Sequence, residues 1–304
     1  YLRKLDTASL SNRINNAGLP TTGNATGNIM YWNGSAWVRL STGSVGQILK
    51  ISAAGIPVWG NADFYCGLTI LKDIDNNTYS TVQIGTQCWM AENLRVRKYN
   101  DGTNIPFNNS GGTSGNGSGQ TWSALTYGAH TLYEHDSTAT SPSNLTKYGY
   151  LYNWYAVDNS RKLCPTGWHV PTDAEWTIMI QTLDPMQAVN SGNVLSFTGA
   201  QSITAGTALK SQVTNTTAGS GLGWNPATPS PNPGTNTSRF TALPGGYRNN
   251  DGSFNNIRNN AFFWSATEND GFNAWYRLLY NSLGFVNRDI NGKNVGASVR
   301  CLRD

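Results

Sequence analysis

Residues 249–294 are the most constrained part of the chain. Short apolar runs at 261–267, 274–280 and 285–290, followed by 295–302, are separated by Gly or Asn. Runs of this length, rich in aromatic and β-branched residues and bounded by turn formers, predict four strands joined by turns. The same 46 positions hold twelve Asn: Asn249, Asn250, Asn255, Asn256, Asn259, Asn260, Asn269, Asn273, Asn281, Asn287, Asn291 and Asn294. Asn is a common turn residue, and Asn291 before Gly292 fits that role. Asn273, Asn281 and Asn287 instead flank or enter strands, where Asn is depleted. The pattern reads as a rigid apolar frame interleaved with polar positions.

The frame needs a core partner, and one segment supplies it. Thr172 and Glu175 have capping-box spacing, and Trp176, Met179, Ile180 and Leu183 recur at helical intervals, which predicts a helix with a buried face. A second helix is expected over 150–157, with Leu151, Trp154 and Tyr155 on one side. Upstream, a strand over 79–84 follows a turn at Asp75, Asn76 and Asn77. Residues 108–120 and 214–238 are dominated by small polar residues, Gly and Pro, and read as long loops. The whole of 63–304 is therefore expected to be an α+β domain with long irregular loops, the Asn-rich region at its end, about 247–304.

Residues 1–62 differ in character. Residues 29–32 and 36–40 flank Asn33 and Gly34 as strand, tight turn, strand. Two further short strands, at 45–51 and 56–59, flank Ala53, Ala54 and Gly55. Leu2, Leu5, Leu10 and Ile14 permit one or two helical turns over 1–16, too short to persist alone, so that segment is expected to pair with copies of itself or to continue an upstream coiled coil. The region reads as a short helical shaft and a small β neck. The chain starts at Tyr1 without Met or a signal-peptide pattern, as a segment of a longer or processed protein does.

The chain has 304 residues, 38% hydrophobic and 12% charged, enough for about two domains with their own cores. Eleven Trp and fourteen Tyr provide large apolar area despite the modest apolar fraction. Lys and Arg number 21 against 17 Asp and Glu, with no basic block longer than a pair, which argues against nucleic acid or a membrane surface as partner. No apolar run approaches membrane-spanning length. Low charge and four widely spaced Cys favour an extracellular or particle-surface setting.

Catalytic chemistry has little footing. His130, Glu134 and His135 lack the spacing of a zinc helix and read as ordinary loop residues. His169 is expected to be a hydrogen-bonding side chain. Cys66, Cys88, Cys164 and Cys301 allow three pairings and contain no C-x-x-C; Cys66–Cys88 with Cys164–Cys301 is the expected set, structural rather than reactive. Nucleophile-elbow, P-loop and dinucleotide motifs are absent, so no enzymatic activity, catalytic residue or metal centre is expected. No cofactor is expected beyond a structural calcium, for which Asp251, Asp270 and Asp289 near loops are the candidates.

The motifs QCWMAENL (87–94), YLYNWY (150–155), CPTGWHVPTDAEW (164–176), TALPGGYR (241–248) and FWSAT (263–267) closely resemble the Fibrobacter succinogenes major paralogous domain over about residues 63–304. The resemblance implies a C-type-lectin-like fold, shared with formylglycine-generating enzymes, which the ending SVRC (298–301) also resembles. That enzyme's activity is not implied, because Cys301 alone matches its cysteine pair. The Asn-rich tail is similar to variable proteins of diversity-generating retroelements, which implies that the twelve Asn are diversified ligand-binding positions. Residues 1–13 and 28–34 resemble phage tail-fibre segments, which implies a homotrimer. The expectation is the receptor-binding tip of a tail fibre, on a virion or otherwise extracellular, with a host cell-surface protein or glycan as partner. Its alternatives are a secreted or cell-surface bacterial adhesion protein of the same family and an oxidase that would bind copper or iron.

Overall fold

The computed structural model describes residues 18, 25–45, 47–61, 63–108, 121–133, 144–186, 198–212, 223–226, 232 and 234–304. The expected helix over 1–16, Glu134, His135 and most of the two long loops lie outside the described residues. The chain divides into two compact units, Tyr1–Phe64 and Tyr65–Asp304.

Two hairpins form the first unit. β1 (Ile29–Trp32) pairs with β2 (Trp37–Leu40), and Trp32 faces Trp37 with ring centroids 5.9 Å apart. The Asn33 side-chain oxygen accepts the Ser35 and Ala36 N–H groups, and Gly34 takes a φ of 102°, so the Asn-Gly pair makes the turn. β3 (Gln47–Ile51) pairs with β4 (Pro57–Asn61). The Trp59 ring lies on Gly43, where a Cβ would come within 2.5 Å of it, and its indole N–H donates to Ser41 O. No described residue of this unit is buried.

The second unit starts with the short β5 (Leu71–Lys72) and β6 (Thr78–Tyr79), joined by a turn in which Asp73 accepts the Asp75 and Asn77 N–H groups. β7 (Thr81–Ile84) and β8 (Gln87–Met90) follow, so the expected strand over 79–84 is interrupted at Ser80. Next come β9 (His130–Thr131), α1 (Asn144–Tyr148), β10 (Leu151–Tyr152), α2 (Trp154–Val157), β11 (Trp168–His169) and α3 (Asp173–Leu183). After β12 (Gly199–Ser202) and α4 (Ala205–Leu209) the chain forms β13 (Gly245–Arg248), β14 (Phe254–Ile257), β15 (Asn260–Glu268), β16 (Asn273–Tyr280), β17 (Val286–Gly292) and β18 (Leu302–Arg303). Among the described residues strands outnumber helices, which is consistent with the expected α+β class or with a mainly β one. A six-stranded sheet has the order β12-β17-β16-β15-β13-β14, and a four-stranded sheet the order β11-β18-β8-β7.

Two expectations are corrected. Residues 150–157 are not one helix: Leu151 and Tyr152 pair with β9, and Asn153 then caps α2 by accepting the Ala156 N–H at 3.2 Å. Residues 295–302 are not one strand. Gly296 exchanges backbone bonds with Arg248, Ala297 with Tyr152, and Ser298 bonds Phe262 and Trp264, so no single neighbour holds the segment in a ladder.

α3 forms as its sequence demands. The Thr172 hydroxyl accepts the Glu175 N–H, and the Glu175 carboxylate accepts the Thr172 N–H at 2.8 Å, which satisfies two otherwise orphaned donors. Trp176, Met179 and Ile180 turn inward and share a core with Phe263, Leu279 and Val286 of the large sheet and Trp89 and Leu302 of the smaller one. Both disulfides pair as expected, with Cα–Cα distances of 5.8 Å for Cys66–Cys88 and 5.9 Å for Cys164–Cys301. On the chain-entropy model the second, which closes the longer loop, contributes about 4 to 5 kcal/mol.

The interior also holds cations. Arg300 donates to Asn93 Oδ1, Met90 O, Phe240 O and Thr241 O. Arg277 and Arg288 share Asp173, at 2.6 and 2.9 Å. Lys210 Nζ reaches the carbonyls of Asn232, Tyr280 and Leu283, and burial lowers its pKa to about 8. Arg300 and Lys210 thus bond mainly backbone carbonyls, whereas Arg277 and Arg288 are held by a carboxylate.

Candidate binding face

The β15–β16 turn is an exposed feature of the second unit held by a dense set of hydrogen bonds. The Asp270 carboxylate accepts the Phe272 and Asn273 N–H groups, each at 2.8 Å, the Asn273 amide at 3.1 Å and the Asn269 amide at 2.8 Å. The Asn273 side chain and then the Phe272 N–H hold its pKa at about 2, so it is ionised at any physiological pH. From the next loop the Lys293 N–H donates to Phe272 O at 2.9 Å, and Lys293 Nζ bonds Glu268 and Gly271 O while lying over the Trp154 ring. This network fixes the backbone and leaves the Phe272 side chain 82% exposed.

The sheet carries polar positions away from that tip. Residues opposite one another in antiparallel strands share a face, and alternate residues along a strand return to it. Asn255 lies opposite Tyr247, whose ring packs tilted at 4.5 Å from that of Phe262; Phe262 lies opposite Leu278, and Leu278 opposite Asn287. This row crosses five strands on the face away from α3. Asp289, opposite Tyr276, and Asn291, opposite Ala274, continue that face along β17 toward the tip. Burial, and then Asp289, raise the Tyr276 pKa above its ordinary range, so its hydroxyl remains a donor.

The twelve Asn divide among several places. Asn255, Asn287 and Asn291 are half-buried on the face just described, and Asn269 and Asn273 belong to the Phe272 tip. Asn294 is near the tip in the β17–β18 connection, where its amide donates to Ser123 O at 3.3 Å. Asn249 and Asn250 form the β13–β14 turn. Asn256, Asn259 and Asn281 lie at the other end of the sheet, about 25 Å from the tip by strand length. There the Asn225 amide donates to Asn259 Oδ1 at 3.0 Å and the Asn281 amide to Asn225 O at 3.2 Å. Asn260 is buried at 9% exposure, so the expectation of an outward position is corrected there: it starts a strand inside the sheet. Asn259 and Asn281 are occupied in joining two loops.

The remaining candidates are dispersed. Asp251 accepts the Ser253 N–H and hydroxyl, Asp270 holds the tip, and Asp289 sits in mid-strand, so the three proposed calcium ligands do not converge. Among the described residues no group of three or more His, Cys, Asp and Glu is placed to hold a metal ion. His130 is buried, and loss of solvation lowers its pKa to about 4. His169 is half-buried between Glu175 and Asp304. Cys301 is bonded to Cys164.

Phe272 escaped the sequence reading, although an aromatic residue directly after Asp270 and Gly271, where a turn was expected, was the available signal. Tyr247 and Tyr280 carried no comparable mark.

Two disulfides are consistent with an oxidising, extracellular setting, and among the described residues no helix is long and apolar enough to cross a membrane. Residues 82–303 match the model of the Fibrobacter succinogenes major domain, a span that starts later than the resemblance read from about residue 63. No curated protein and no solved structure matches.

Proposed function

The chain belongs to the Fibrobacter succinogenes major domain family, and from that premise we propose that it is the receptor-binding tip of a phage tail fibre, a C-type-lectin-like domain presenting a diversified surface for host attachment. The observation that carries the reading is the Phe272 turn: a ring 82% exposed on a backbone fixed by Asp270 and Lys293, with Asn269, Asn273 and Asn291 nearby. Exposing an apolar ring has no benefit for folding. A rigid aromatic anchor within adaptable polar contacts is what interface hot spots are made of, because little side-chain entropy is lost on binding.

The first unit supports a fibre. Its described residues bury nothing, Trp32, Ile48, Leu49 and Ile51 are exposed, and an isolated two-stranded hairpin is marginal in water. Copies of the same unit in a homotrimer would cover those side chains. Three tips on one fibre would then raise a weak single contact by roughly a hundredfold through effective concentration. The receptor is a host-surface protein or glycan.

The test is binding of the full chain to a panel of bacterial cells by flow cytometry, with Phe272→Ala and Asn256→Ala compared. Phe272→Ala should lower affinity by about thirtyfold, as loss of an anchor worth about 2 kcal/mol does, while Asn256→Ala should leave it within about twofold. Equal binding by both variants would end the assignment. The disulfides also suit a second reading, a secreted bacterial adhesion protein without diversification. A neighbouring reverse transcriptase gene and a near-copy of codons 247–304 would favour the fibre, and their absence the adhesin.

A further inference from the structure

A cavity of about 750 Å³ that shares no lining residue with the Phe272 tip opens between the 97–107 segment, β9, α1 and Tyr150. Its walls are apolar or aromatic: Ile105, Phe107, Leu132 and Leu145, with the rings of His130 and Tyr150. The rings form a connected group, His130 to Tyr150 at 4.5 Å and His130 to Phe107 at 5.2 Å. The wall is well supported, since the His130 N–H donates to Pro106 O and the Ile105 N–H to Arg97 O, at 2.9 and 2.7 Å. His130 Nδ1 is buried with no hydrogen-bond partner among the described residues, a cost the fold carries at this wall.

The rim is cationic. The side chains of Arg97 and Lys98 are 64% and 42% exposed and lie 3.8 and 3.7 Å from the same carboxylate, Asp75, which is almost fully buried behind them. Asp75 is already engaged by the Arg97 N–H at 2.6 Å. Two cations against one carboxylate leave a net positive charge at the mouth of an apolar chamber. The volume lies within the usual range for small-molecule sites.

We propose that this cavity binds a small organic monoanion, a carboxylate with an aliphatic or aromatic body, its body between Phe107, Tyr150 and Leu145 and its head at Arg97 and Lys98. Burial of the body supplies affinity, and the unbalanced charge at the rim selects the sign of the head. The site is separate from the surface assigned to the receptor, so attachment and small-molecule binding fail independently.

The test is calorimetric titration of the full chain with three eight-carbon probes, octanoate, octanol and octylammonium. Octanoate should saturate at one per chain, octanol should bind about tenfold more weakly, as loss of one charge-assisted contact implies, and octylammonium more weakly still. The double variant Arg97→Gln with Lys98→Gln should bring octanoate down to the level of octanol. Leu145→Trp, at a half-buried position of a short helix, should fill the chamber and weaken octanoate and octanol together. Octanoate that does not saturate, octanoate and octylammonium bound equally, or octanoate affinity unchanged in the double variant would each overturn the proposal. The double variant removes two side-chain cations from Asp75 but keeps the bond it accepts from the Arg97 N–H, so the test survives if Leu145→Trp does not fold.

Discussion

The two units use short antiparallel strands in different ways. In Tyr1–Phe64 each hairpin is a separate two-stranded sheet, Trp32 faces Trp37, and no described residue is buried. In Tyr65–Asp304 strands of two to nine residues assemble into six- and four-stranded sheets, and Trp89, Trp122, Trp176, Trp224 and Trp264 are fully buried. Strand propensity is similar in both. The difference is a second layer: α3 lies on one face of the large sheet, and the first unit has no such element among its described residues. A hairpin exposes as much apolar area as it covers, so it becomes stable only when another surface is added.

The sharpest way to break the second unit is through its buried ions. Asp173 is the counter-charge of both Arg277 and Arg288. Asp173→Ala leaves two buried cations without it and should cost about 3 to 5 kcal/mol in denaturant unfolding; an unchanged midpoint would show that the arginines are satisfied by other groups.

A smaller effect is expected from pH. The His169 pKa is raised by its hydrogen bond to Glu175, against burial, and by Asp304. Because the folded state holds that proton more tightly, its stabilisation is complete below the ordinary value of 6.5 and is lost as pH rises through the raised one. Burial pushes Glu175 up, but His169 and Thr172 outweigh it and hold its pKa at about 2, so its contribution is complete above 4.5 and is lost as pH falls from there through about 2. The stability difference between the wild type and His169→Gln should therefore be largest between about 4.5 and 6.5 and shrink in more alkaline buffer. Thermal unfolding across that range measures it, and a difference that grows with pH would refute the assignment.

The smallest effect on unfolding should come from the first unit. Trp32→Ser with Trp37→Ser should shift the unfolding of residues 65–304 by less than about 0.5 kcal/mol, as surface changes do. The same variant should weaken self-association in sedimentation. Unchanged association would remove the argument that copies of this unit cover one another.

Local chemistry was legible wherever it sufficed to fix structure. Thr172 and Glu175 identified the helix start, because capping involves residues three apart. Asn33 and Gly34 identified the first hairpin for the same reason. The strands at 261–267, 274–280 and 285–290 followed from apolar runs between turns. β13 and β14 escaped because Gly245, Gly246, Asn255 and Asn256 give their sequences a turn-like composition, and partners rather than propensity hold them extended. Residues 150–157 were misread because apolar positions at helical spacing also suit a strand followed by a capped helix. Phe272 was not singled out, and nothing local marked the arginines of the interior.

The sequence by itself determined the helix start, the turns, the apolar strands and the family, since each depends on neighbours along the chain or on short motifs. Only the tertiary structure decided which side chains meet: that Asp173 neutralises Arg277 and Arg288, that Asp270 and Lys293 hold Phe272 outward, and that Asn260 is buried while Asn256 is exposed. These outcomes depend on strand register and on contacts about a hundred residues apart in the cases of Arg277 and Arg288. A single position carries no record of its partner across such a distance, because the pairing is selected by the packing of the whole unit.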